Sequence, residues 1–208
     1  MSNRISKSGK IRKICVYCGS GPGNHPSYVQ AATDFGRILA ENGIGLVYGG
    51  GDLGMMGAVA AAARAGGAGI TGIIPEFLLQ RERLSRGNGE VVVTRDMHER
   101  KRKMFEAADA FVALPGGVGT LEELVEQLTW VQLGRHRKPV LAANIGGFWE
   151  PLCKLIEHMK AMDFIRPDLG FDLLVADRVE DILPKLEAAI AAVPEEDKQM
   201  KTAAAERL

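Results

Sequence analysis

Ala110-Phe111-Val112-Ala113-Leu114-Pro115-Gly116-Gly117-Val118-Gly119-Thr120-Leu121-Glu122-Glu123 is the stretch that decides the fold. Its first five residues are an unbroken apolar run, as a strand covered on both faces requires, and the Leu121, Leu124, Val125, Leu128 spacing that follows is helical. Gly116, Gly117 and Gly119 therefore sit at a strand-to-helix junction. Without side chains the amide N–H groups there can approach an anion closely, and the helix N-terminus adds partial positive charge, a combination suited to a phosphate. Thr120 adds a hydroxyl donor.

Helical periodicity places Thr120, Glu123 and Gln127 on one face and predicts that Leu121, Leu124, Val125 and Leu128 cover the core. Glu123 then stands one turn above the phosphate loop. A carboxylate would repel a phosphate, so it addresses the sugar or a water beside it. The simpler alternative is that Glu122 and Glu123 only complement the helix dipole, an effect of about 0.3–1 kcal/mol each.

Outward from this junction, strand-like and helix-like patterns alternate along the chain. Strands are predicted at 13–18, 45–48, 69–74, 90–94, 110–114, 139–143 and 173–176, with helices between them. That alternation predicts an α/β fold: one Rossmann-like, doubly wound parallel sheet with helices on both faces. Glycine-rich turns follow the first strand (19–23), the second (49–57) and the fifth (116–119). The C-terminal ends of strands in such a sheet face one crevice, so the three loops are expected to border one site.

Composition narrows the function. The 208 residues suffice for one domain that needs no disulfide staples. Cys15 and Cys18 have the spacing of a redox or zinc pair, but they lie in a predicted strand, where residues three apart point to opposite faces. His25, His98, His136 and His158 show no ligand spacing, so no metal is expected. Lys plus Arg and Asp plus Glu both total 26, leaving no global field to attract nucleic acid or a membrane surface. No apolar stretch approaches a membrane span, and the first twelve residues lack the apolar core of a secretory signal; the expected address is the cytoplasm. Gly19-Ser20-Gly21-Pro22-Gly23 lacks the dinucleotide GxGxxG spacing, Tyr48-Gly49 stands where a ribose-binding acid would follow the second strand, and no GxxxxGK[ST] occurs.

Arg100 supplies the other half of the candidate site. In the helix predicted around 97–108 it lies three residues after Met97 and four before Met104, on an otherwise apolar stripe. An inward-facing guanidinium needs an anionic partner, and the candidates are Glu123 and the substrate's phosphate or ribose oxygens. Arg102 and Lys103 read as solvated, and the basic run lacks the interleaved aromatics of a nucleic-acid surface.

These residues resemble the LONELY GUY (LOG) family, cytokinin riboside 5′-monophosphate phosphoribohydrolases often mislabelled as lysine decarboxylases. The family pattern PGGxGTxxE matches Pro115 to Glu123 at every specified position, Met97-His98-Glu99-Arg100-Lys101 matches its arginine-bearing segment, and Gly49-Gly50-Gly51 with Gly54-Met55-Met56-Gly57 matches its first glycine loop. The resemblance spans about residues 12 to 190. It implies hydrolysis of the N-glycosidic bond of adenine-type nucleoside 5′-monophosphates without a cofactor, with Arg100 and Glu123 as the catalytic residues. It also implies substrate contacts from Glu82, Met97, Lys101, Gly116, Gly117, Val118, Gly119, Thr120, Leu121, Glu122 and Thr129, with Cys18, Gly19, Ser20, Gly49, Gly50 and Gly51 lining the remaining wall. A homodimer is a further implication. The expected organisation is a flexible N-terminus (1–11), a nucleotide-binding catalytic domain (12–193) and a C-terminal tail or loosely attached helix (194–208). The competing reading is a non-catalytic nucleotide or molybdenum-cofactor carrier of the same fold, which needs the glycine loops but no carboxylate beside the ribose. Lysine decarboxylation finds no support, since no lysine stands in a recognisable pyridoxal-phosphate context.

Overall fold

A computed structural model describes residues 10–79, 89–165 and 171–192. The strands are β1 (Lys13–Tyr17), β2 (Gly45–Tyr48), β3 (Ile70–Pro75), β4 (Glu90–Thr94), β5 (Ala110–Ala113), β6 (Val140–Ala143) and β7 (Leu173–Ala176). Each matches a strand expected from the apolar pattern to within one residue at either end. Between them run α1 (Pro26–Glu41), α2 (Gly54–Ala65), α3 (Met97–Ala107), α4 (Val118–Gln132), α5 (Glu150–Ala161) and, last, α6 (Ile182–Ala191).

The seven strands lie in the order β4-β3-β2-β1-β5-β6-β7, every neighbouring pair parallel. Parallel neighbours require crossovers, and the helices supply them. The chain winds outward from β1 to β4, then returns to the centre and winds the other way from β5 to β7. The reversal therefore falls between β1 and β5, which pair from Ile14 with Ala110 to Tyr17 with Ala113. A crevice opens outside the carboxyl ends of the strands at such a switch point.

The central strands are buried on both sides because their residues alternate between two cores. Ile14, Val16 and Cys18 join Val112 and Leu114 under α1, α2 and α6, whereas Cys15, Tyr17, Phe111 and Ala113 pack with α3, α4 and α5. Cys15 and Cys18 thus enter opposite cores, as strand geometry requires. On the first face α1 and α2 approach closely at Gly36, where a Cβ would fall 2.4 Å from the Val59 carbonyl oxygen.

One face assignment is corrected. Leu124 and Leu128 are buried, but Leu121 and Val125 are exposed, and the inward face of α4 is completed by Thr120, Glu123 and Gln127. The polar residues turn inward because this end of the helix overlies the crevice as well as the apolar core, so the buried face is set by contact rather than by the densest apolar stripe.

Among the described residues no helix is long and apolar enough to cross a membrane, and no group of three or more His, Cys, Asp or Glu could hold a metal ion. Glu82, the tail at 194–208 and all but the end of the expected N-terminal segment lie outside the described residues. Ile11, at the end of that segment, is buried in the first core.

Candidate active site

The loops after β1 and β5 pack backbone to backbone over the switch point. Leu114 donates its N–H to the Tyr17 carbonyl at 2.9 Å, and Gly19 donates to Pro115 O at 3.1 Å. At Gly116 a Cβ would lie 2.2 Å from Thr120 Oγ1 and 2.8 Å from Gly19 N, so only glycine lets the two loops and the first turn of α4 meet.

Two helices begin here, and their N-termini are in different states. In α2 the amides of Met55 and Met56 face the carbonyls of Gly21 and Gly19 at 3.4 and 3.3 Å, and Gly57 donates to Leu53 O. Gly54, at φ 58°, presses so close to Ser20 that a Cβ would lie 2.3 Å from its carbonyl oxygen. The α2 terminus is therefore closed by the loop after β1. α4 has no side-chain cap at Gly117, and Gly117, Val118 and Gly119 are exposed. The N–H groups that a first turn leaves without intrahelical partners are thus accessible in α4, an arrangement chemically able to take an anion.

One turn further along α4, Glu123 meets Arg100 of α3. Both are 9% exposed, and Arg100 Nη2 lies 3.7 Å from Glu123 Oε1. That separation holds the charges together but is too long for a hydrogen bond, leaving both groups able to take a ribose hydroxyl or a water. Arg100 is fixed from behind: its Nε donates to the Ile73 carbonyl within β3 (3.1 Å), and Nη1 faces Met97 Sδ at 3.7 Å. Gly49 completes the cradle, since a Cβ there would stand 2.5 Å from Arg100 Nη2 and 3.1 Å from Met56 Sδ.

Upstream, α3 is started by Asp96, whose carboxylate accepts from Glu99 N at 2.8 Å, while Glu99 accepts from Arg95 N at 2.9 Å. This N-terminal clamp fixes the turn from which Arg100 projects.

Burial pushes the Glu123 carboxyl up to about 7 against the opposing pull of Arg100; Glu122 and Glu126 add to the rise and Lys101 opposes it. A carboxylate in this state exchanges a proton near neutral pH, as a group that orients or accepts a proton from water should. Lys101 is held between Glu122 (2.7 Å) and Glu126 (2.8 Å), strapping α3 to α4. Burial alone would lower its pKa, but the bonds to both glutamates hold it above the ordinary lysine value. Burial likewise pushes the Cys18 thiol up, with Glu123 adding to the effect, so it stands at the crevice as a neutral group.

The structure thus brings Gly19, Gly49, Arg100, Gly116, Thr120 and Glu123 together, with Cys18 at the end of β1 and Met97 behind the guanidinium. Gly50, at φ 85°, packs on Ile74, and Gly51 is buried beside it; these two shape the loop. Ser20 is exposed at the rim. Leu121, Glu122 and Thr129 are exposed: Glu122 is engaged by Lys101, and the Thr129 hydroxyl donates to Val125 O. Gln127, one turn below Glu123, is a buried polar residue without a role in the sequence reading; its only signal was the shared helix face. The Ile73 carbonyl had no signal at all, because a backbone acceptor leaves no trace in residue identity.

Comparison with solved structures places the same fold in the molybdenum cofactor binding protein from Rippkaea orientalis (TM-score 0.64, 20% identity, 87% of this chain and 98% of that one). The Moco carrier protein from Chlamydomonas reinhardtii is similar to the same degree (TM-score 0.64, 21% identity, 88% and 100%). At that identity the likeness is one of fold. In sequence, a family model described as "Possible lysine decarboxylase" matches residues 56–186. The cytokinin riboside 5′-monophosphate phosphoribohydrolase LOG of Oryza sativa subsp. japonica is 46% identical over 181 residues, covering 87% of this chain and 75% of that protein. LOG3 of Arabidopsis thaliana is 45% identical over 181 residues, covering 87% and 84%. The chain belongs to the LOG family of cytokinin riboside 5′-monophosphate phosphoribohydrolases.

Proposed function

We propose that this protein hydrolyses the N-glycosidic bond of AMP or cytokinin riboside 5′-monophosphates, releasing an adenine-type base and ribose 5-phosphate. The observation that carries the reading is the buried Arg100–Glu123 pair, set one helical turn from the open N-terminus of α4.

In this scheme the amides of Val118, Gly119 and Thr120, with the Thr120 hydroxyl, hold the 5′-phosphate. The nucleotide is anchored by that dianion, and the distance from phosphate to sugar sets the anomeric carbon beside Glu123. As the bond from C1′ to the base nitrogen breaks, its electron pair leaves with the base and positive charge develops on the ribosyl ring. The Glu123 carboxylate stabilises that charge and orients a water, whose oxygen bonds to C1′ while one of its protons passes to the carboxylate. The departing base takes up a proton from solvent and Glu123 returns the one it accepted, so that one water is consumed overall. Arg100 keeps Glu123 ionised and fixes ribose or phosphate oxygens. Met97 positions the guanidinium, and Lys101 holds α3 against α4. Cys18, Ser20 and the loop at 49–51 line the wall, and Glu82 contacts the substrate from the 80–88 segment.

The exposed ridge Val118, Leu121, Val125 and Leu133, on which Thr129 also lies, supports a homodimer that covers this face of α4. Residues 12–193 act as one catalytic unit in the cytoplasm, with no nucleic-acid partner.

The test is incubation of the purified protein with AMP and N6-isopentenyl-AMP, followed by chromatography for free base. Base release without added metal or cofactor is the expected result. Tight nucleotide binding with no base released would instead favour a carrier.

A further inference from the structure

Gln127 lies one helical turn below Glu123 on the inward face of α4, 1% exposed, and neither its amide nitrogen nor its amide oxygen has a hydrogen-bond partner among the described residues. A buried amide left unpaired is unfavourable, and an apolar side chain of the same length would fill the space without that penalty. Most neighbours that might satisfy it are engaged, and Glu126 Oε2, itself buried without a partner among the described residues, belongs to the adjacent residue, which points to a different side of the helix. Lys101 is bound by Glu122 and Glu126, Arg100 Nε by the Ile73 carbonyl, and Tyr17 and Cys15 bond to each other. Glu123 differs: apart from the 3.7 Å approach of Arg100 to Oε1, its carboxylate has no hydrogen bond among the described residues.

Helical side chains lean toward the N-terminus of their helix, so the Gln127 amide lies within reach of the residue four positions before it, Glu123. We infer that Gln127 is a positioning residue for Glu123: by rotation of its side chain the amide N–H, which has no partner among the described residues in this arrangement, donates to the carboxylate oxygen that Arg100 does not engage and holds it aimed at the anomeric carbon. The inference rests on the hydrolase reading of the site.

The charged and titratable groups around Glu123 are Arg100 and Lys101 from α3, Glu122 and Glu126 from α4, and Cys15, Tyr17 and Cys18 from β1 and its end. Gln127 is the neutral polar member of this shell. A donor to the ionised carboxylate favours the charged form, so its removal raises the pH at which Glu123 ionises.

The experiment compares wild type and Gln127→Met with AMP between pH 5 and 9, alongside thermal melts. The expected result is a kcat lower by about tenfold, the loss of one hydrogen bond to a charged group, with KM nearly constant. The acid limb of the kcat profile moves to higher pH, and Tm changes little, because the lost hydrogen bond is offset by burial of a more apolar chain of similar volume. A wild-type rate and profile in Gln127→Met would overturn the inference while leaving the hydrolase reading intact. So would a fallen Tm with kcat and KM both altered and the acid limb unmoved, which marks a packing role. Should Gln127→Met not fold, Gln127→Leu is measured against the same outcomes. Failure of the wild-type protein to release adenine would remove the hydrolase reading itself, and the inference with it.

Discussion

Arg100 Nη2 stands 3.7 Å from Glu123 Oε1, and the same guanidinium nitrogen occupies the space that a Cβ at Gly49 would need. The two side chains come from helices on one face of the sheet and meet at the switch point between β1 and β5. Neither charge is neutralised by a close bond to the other, so both remain available to a ligand.

Glu123→Gln keeps the shape and removes the charge. Turnover of AMP is expected to fall by about 100-fold or more, because the lost term acts mainly on the transition state, while nucleotide affinity changes little. Steady-state kinetics with calorimetric binding measure both; unchanged turnover would contradict the assigned role.

The carboxyl of Glu123 is raised to about 7 in the fold, and two pH effects follow. Activity requires the ionised form, so kcat/KM should fall as pH drops below about 7, above the ionisation of a 5′-phosphate at about 6. For stability the sign is that of a raised acid: its contribution is complete below the unfolded value of 4.5 and is lost as pH rises through about 7. Glu123→Gln should therefore melt higher than wild type at pH 8, and lose that advantage at pH 5. Melting curves at the two pH values decide this.

At Gly49 the backbone tolerates alanine, but the new methyl would meet Arg100 Nη2 at 2.5 Å. Gly49→Ala should displace the guanidinium and cost about 10- to 100-fold in kcat/KM, the order expected for misplacing a catalytic group by about 1 Å, while the protein stays folded. Kinetics at wild-type Tm would confirm that the glycine acts through the arginine; full activity would mean the arginine can shift without consequence.

The glycines of the phosphate loop should separate into two kinds. Gly116→Ala collides with Thr120 Oγ1 at 2.2 Å and with Gly19 N at 2.8 Å, and should destabilise by about 1–3 kcal/mol through overpacking. Gly119→Ala meets nothing within 4 Å and should stabilise α4 by up to about 1 kcal/mol, yet raise KM by crowding the phosphate. Urea denaturation and KM for AMP test the pair. Adenosine, without the anion, should be a very poor substrate, and ready hydrolysis of it would remove the role given to the loop.

The exposed ridge on α4 gives a last test. Val125→Glu places a charge in the centre of an apolar strip that a second copy is proposed to cover, and should convert the protein to monomers in light scattering. Wild type that is itself monomeric would sink the proposed dimer.

Much of the architecture could be read before any coordinates, because it depends on local pattern. The run from Ala110 to Leu114 is apolar at both alternations, so it had to be a central strand. Gly116 to Thr120 had to be a junction at a helix start, and the placing of Arg100 beside Met104 on one stripe marked it as an inward cation in need of an anion. Periodicity also put Thr120, Glu123 and Gln127 on one face of α4.

Periodicity fixes which residues share a face but not which face turns inward, and that choice was made by packing. The leucine-rich reading buried Leu121 and Val125; the fold instead exposes both, and draws in the three polar residues where α4 overlies the crevice. Likewise the sequence placed three glycine-rich loops around one expected site, and only the assembled sheet closes the N-terminus of α2 with the carbonyls of Gly19 and Gly21 while leaving that of α4 without a side-chain cap. By itself the chain determined its strands, helices, loops and the chemistry each could carry, since these follow from interactions among near neighbours. The order of strands, the open helix end and the meeting of Arg100 with Glu123 depended on contacts between distant segments, which exist only once the backbone has closed around a common core.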